Sequence, residues 1–101
     1  MSFEEYFDSN LEKNLNKLNK LADMSLSSIV KSTLKGVSTV KDTFNAGKII
    51  DYYQMAVRAK ALYNDQKLFD YLKTESQYSY NSIGDQKIKN FVKQQVDDFV
   101  K

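Results

Sequence analysis

The nearest approach to a catalytic signature in this 101-residue sequence is Ser28-Ile29-Val30-Lys31, which has the S-x-x-K spacing of lysine-activated serine nucleophiles. A serine hydroxyl attacks a carbonyl only when a neighbouring base takes its proton. The companion motifs of that chemistry are missing, and serines and lysines are common enough here for the spacing to arise by chance. Histidine and cysteine are absent, which removes the imidazole base, the thiol nucleophile, the thiolate zinc site, the iron–sulfur cluster and the disulfide framework together. Asp97 and Asp98 are neighbours and point about 100° apart on a helix, so they do not form an acid/base pair. Lys93, four and five residues before them, suggests surface ion pairing instead. Glycines stand only at 36, 47 and 84, too far apart for a phosphate-cradling loop, and no D-x-D-x-D-G calcium loop is present. The expectation is a protein without catalytic residues, metal or cofactor, and not an enzyme.

Charge is the next resource. Glu4, Glu5, Asp8 and Glu12 make the first twelve residues acidic, as suits the positive end of a helix dipole. Lys13, Lys17, Lys20, Lys31, Lys35, Lys41 and Lys48 follow, opposed only by Asp23 and Asp42. Nucleic-acid readers rely on arginine for bidentate base contacts, and Arg58 is the one arginine. The pI of about 8.7 is also below the strongly basic range of such domains, so nucleic acid is disfavoured. An anionic membrane surface fits the middle better. Between Met24 and Ile50 the single acid is Asp42, and Lys31, Lys35, Lys41 and Lys48 border an aliphatic stripe. The competing explanation is that the stripe faces a protein core and the lysines are its solvated side.

Seven tyrosines and six phenylalanines exceed what a core of this size needs. Tyrosine brings large contact area at low entropic cost, with a hydroxyl for the wet rim of an interface. Tyr78 and Tyr80 are the pair least explained by packing, and Tyr63 and Tyr71 join them as candidate partner-binding residues. The alternative for Tyr78 and Tyr80 is that they belong to the core.

Helices must position all of these residues. There is no proline, and 42% of the chain is hydrophobic, close to the globular norm. Ser2 and Glu5 fit a capping box, and Phe3, Phe7, Leu11, Leu15, Leu18 and Ala22 then recur at helical steps, predicting a helix over 3–21. A second helix is expected over 25–44, carried by Leu26, Ile29, Val30, Leu34, Val37, Val40 and Phe44. Its many Ser, Thr and Val residues and Gly36 oppose it locally, so a break near Gly36 fits. Asn45-Ala46-Gly47 reads as a stop. Ile49–Leu72 is the most apolar stretch and the expected bundle centre, divided at Asn64-Asp65 where Asp65 caps the next helix. Residues 74–84 (TESQYSYNSIG) read as a loop, and Asp85 caps a last helix carrying Ile88, Phe91, Val92, Val96 and Phe99.

The fold expectation is all-α, a compact bundle of four to five helices forming one domain over 1–101. MSFEEYFDSN has neither the basic nor the apolar region of a signal peptide, and no run approaches the ~20 apolar residues of a membrane span. A soluble cytoplasmic protein is therefore expected. In size and helical patterning the chain is similar to bacteriocin immunity proteins and small phage-encoded inhibitors, hence a bacterial or phage origin, although no residue motif ties it to either family. The function expected is a small protein-binding module, a regulator, adaptor, inhibitor or immunity-type protein, acting on a protein partner or on a second copy of itself. The alternative is a peripheral membrane-surface protein using 24–50.

Overall fold

A computed structural model describes residues 1–21, 34 and 40–100. Among them the chain forms five helices and no strand: α1 (Phe3–Lys13), α2 (Leu15–Leu21), α3 (Val40–Ala61), α4 (Gln66–Asn81) and α5 (Gln86–Val100). The expected helix over 25–44 lies largely outside the described residues, as do its suspected break at Gly36 and Lys31 and Lys35. Its last positions, 40–44, are the start of α3.

The first helix begins where its cap predicts, with the Ser2 hydroxyl accepting from the Glu5 N–H at 3.2 Å. Phe3, Phe7, Leu11 and Leu18 are all buried and Leu15 is half-buried against them, so the apolar period holds from Phe3 to Leu18, while Ala22 lies outside the described residues. The chain does not run unbroken, however: Asn14 leaves helical geometry at φ −131°, ψ 32°. Asparagine competes with the backbone for hydrogen bonds, which makes it a natural place for a helix to yield.

The centre of the bundle is α3, which packs most extensively on α4 and also against α2 and α5. Its inward face runs Ala46, Ile49, Ile50, Tyr53, Ala56 and Val57, each 1% exposed or less. The stop expected at Asn45-Ala46-Gly47 is therefore wrong. Gly47 is an interior residue of α3, and its cost of about 1 kcal/mol relative to alanine is offset by burial on either side.

The divider expected at Asn64-Asp65 is present. Asn64 takes a left-handed φ of 48°, a conformation asparagine tolerates better than most residues. Asp65 then caps α4 by accepting from the Leu68 N–H at 3.0 Å. The loop expected over 74–84 is also corrected, because α4 continues to Asn81. Its inward positions in that stretch are Ser76 and Ser79, both buried, with Tyr80. Hydropathy does not register serine as a core residue, although its small side chain lets a neighbouring helix approach. Outward hydroxyls are satisfied within the helix: Thr74 donates to the Asp70 carbonyl, and Ser82 to that of Tyr78, each at 2.9 Å.

The last helix starts as predicted, with Asp85 accepting from the Lys87 N–H at 2.8 Å. That cap is itself tied down from α3, whose buried Asp42 accepts from the Asp85 N–H at 3.2 Å. Ile88, Val92, Val96 and Phe99 then close the core. A Cα radius of gyration of 12.7 Å is that of a compact chain of this length. No helix among the described residues is long and apolar enough to cross a membrane.

Candidate interaction surface

Aromatic residues divide between an internal cluster and an external stripe. Inside, the Phe7 ring meets Tyr53 edge-on at 4.8 Å, Tyr53 meets Phe99 at 5.8 Å, and Phe3 stacks on Tyr80 at 4.3 Å. Lysine ammonium groups cover the rim of this cluster. Lys73 lies 5.6 Å from the Phe69 ring, and Lys93 lies 5.7 Å from the rings of both Tyr6 and Tyr80. Lys73 also reaches Glu4 and Asp8, each at 3.6 Å, which joins the acidic face of α1 to α4. Gln77 strengthens the same junction by accepting from the Glu4 N–H. Burial raises the Asp8 carboxyl above its ordinary value, and Lys73 only partly opposes this.

The four tyrosines singled out by sequence separate cleanly. Tyr80 is 7% exposed and belongs to the core, whereas Tyr78 is 72% exposed on α4. Two residues apart on a helix means about 200°, hence opposite faces. Tyr71, on α4, is 59% exposed, and Tyr63, in the turn before α4, is 71% exposed. Leu62 and Leu68 are exposed beside them. Helical geometry places Lys67, Tyr71, Glu75 and Tyr78, at steps of four, four and three, in one outward stripe. Sequence reasoning missed Lys67 and Glu75 because it ended the helix before Glu75.

A second exposed face lies on α3. Val40 is 89% and Phe44 63% exposed, with Met55 three turns further along the same side. Lys41 is exposed, and the half-buried Lys48 holds its ammonium 5.5 Å from the Phe44 ring and 5.6 Å from that of Tyr52. Asp42 turns away from this face into the bundle.

Among the described residues, no group of three His, Cys, Asp or Glu side chains is placed to hold a metal ion. A solvent-open groove of about 570 Å³ runs between α1–α2 and α5, with Lys13, Lys17, Gln94 and Asp97 on its walls. Val100 is the single apolar side chain among its described lining residues. Comparison with family models, with curated proteins and with solved structures finds no match to this chain.

Proposed function

We propose that this protein is a small non-enzymatic binding module that engages a protein partner through the outer face of α4 and the turn before it. The observation that carries this reading is the exposure of Tyr63, Tyr71 and Tyr78 together on one edge, with Leu62 and Leu68 among them. Tyrosine and leucine side by side supply the apolar centre of an interface, and the phenol hydroxyls supply its polar margin. Tyr80, buried against Phe3, is not part of this surface.

A photo-crosslinking amino acid at position 78 is expected to trap a partner in cells that make the protein natively. The same group at position 90, where Asn90 is exposed on α5, is expected to trap none. Alanine at both Tyr71 and Tyr78 should reduce capture by a crosslinker placed at 63, while unfolding stability stays within about 0.5 kcal/mol of wild type. Equal adducts at 78 and 90, or none at either, would rule the reading out.

A membrane-surface role is the second reading, favoured by the α3 face. Val40 and Phe44 are strongly exposed beside Lys41 and Lys48, and the single acid between Met24 and Ile50 is turned inward. Asp51 and Arg58 occupy the same side further along, so the basic-apolar character is confined to the first turns of α3. Flotation with anionic but not neutral liposomes, abolished by high salt and by Phe44→Ala, is the expected result on this reading. Absence of flotation at low salt would dismiss it.

A further inference from the structure

The α4 stripe has the arrangement of a surface that fits a copy of itself. We propose that two chains associate about a two-fold axis passing beside Tyr71, with their α4 helices antiparallel. The inference rests on the outer face of α4 being the interaction surface, and it names the partner as a second copy of this chain.

Charge complementarity selects this geometry. Lys67 and Glu75 lie four residues before and after Tyr71, on the same outward side of α4. Among the described residues neither has an ion-pair partner within its own chain. An antiparallel two-fold at Tyr71 sets Lys67 of each copy against Glu75 of the other, producing two equivalent ion pairs. The Tyr71 rings meet each other at the centre, and Tyr78 meets the turn at Asn64, beside Tyr63. A parallel arrangement would oppose lysine to lysine and glutamate to glutamate. Isologous pairing of this kind is the commonest oligomeric symmetry, because each contact is made twice.

Area sets the strength. A tyrosine buries ~150–250 Å² in full, so Tyr63, Tyr71 and Tyr78 at their observed exposure offer on the order of 300–500 Å². Leu62 and Leu68 add on the order of 150 Å², bringing each face to roughly 450–650 Å². An interface of ~900–1,300 Å² in total stands at the low end of specific association and above the size of most adventitious contacts. The dimer is accordingly weak and reversible.

Sedimentation velocity of the full chain over a concentration series tests this. Wild type is expected to show a reversible monomer–dimer equilibrium. Lys67→Glu and Glu75→Lys each set like charges against one another and should weaken dimerisation at least about tenfold. An equimolar mixture of those two variants restores both ion pairs in a heterodimer and should recover association close to wild type. Unchanged thermal melts of both variants exclude misfolding as the cause. Wild type remaining monomeric at submillimolar concentration overturns the self-association. A dimer that neither charge reversal weakens, or a mixture that associates no better than its components, overturns the α4 geometry. In the first case the crosslinker at 78 still reports independently on a different protein partner, so the two proposals fail separately.

Discussion

Phe7→Ala is expected to lower stability by about 3–5 kcal/mol, as truncation of a buried phenylalanine generally does. A chain of this size has a total stability of only ~5–15 kcal/mol, so a fifth or more is at stake. Phe7 is 1% exposed, and its ring neighbours three others of the aromatic cluster. It meets Tyr53 on α3 at 4.8 Å, Phe69 on α4 at 6.2 Å and Phe3 on its own helix at 6.3 Å. Removing it leaves a void bounded by rings, which are planar and stiff, so neighbouring side chains relax poorly into the space. The measurement is urea unfolding: a fall in midpoint with little change in slope marks lost stability rather than an altered denatured state. Tyr78→Ala is the matched control, an aromatic of similar size on the surface, expected within about 0.5 kcal/mol of wild type. Equal costs at the two positions would contradict the division of the aromatics into inside and outside.

That division is where sequence and structure part company most instructively. The caps at Ser2, Asp65 and Asp85 were legible because a capping side chain acts locally, on backbone groups two or three residues away. The apolar periods of α1, α2 and α5 were legible because their inward residues are Phe, Leu, Ile and Val. Two segments were not. In α3 the inward face opens with Asp42, Ala46 and Gly47, and in the last turns of α4 it carries Ser76 and Ser79. Small or polar residues in those positions are indistinguishable from turn residues until the facing helix is known. The error then propagates to the candidate site. Tyr78 and Tyr80 look equivalent in a loop, but on a helix one of them must face inward if the other faces out. A reading of 66–81 as one helix would have separated them, and would have shown Lys67, Tyr71, Glu75 and Tyr78 as a stripe.

Tyr53→Phe is expected to leave stability unchanged or slightly higher at neutral pH and to protect the protein markedly above pH 10. The Tyr53 side chain is 1% exposed, and its hydroxyl has no hydrogen-bond partner among the described residues. Phenylalanine keeps the ring contacts to Phe7 and Phe99 and removes a polar atom left without a match, an exchange that costs little and can stabilise. The alkaline effect follows from where the phenol sits. Burial first, and the nearby Tyr6 and Asp97 second, raise its ionisation well above the ordinary 10.0. Tyr6 is shifted in the same direction, by burial first and then by its interaction with Asp97, and its hydroxyl donates to the Lys93 carbonyl at 2.7 Å. A raised acid keeps its proton in the folded state at a pH where the unfolded chain has lost it. Its contribution to stability is therefore fully present below pH 10 and declines as pH rises beyond. Each tyrosine that stays protonated in the folded state costs stability at up to about 1.4 kcal/mol per pH unit above pH 10, so the loss from Tyr53 grows steadily as pH rises. Urea midpoints measured from pH 8 to 12 should fall more steeply for wild type than for Tyr53→Phe. All other ionisable groups are common to both proteins, so the difference between the two curves isolates Tyr53. Parallel curves would mean that this phenol ionises within the folded bundle, and the interior position assigned to its hydroxyl would then be wrong.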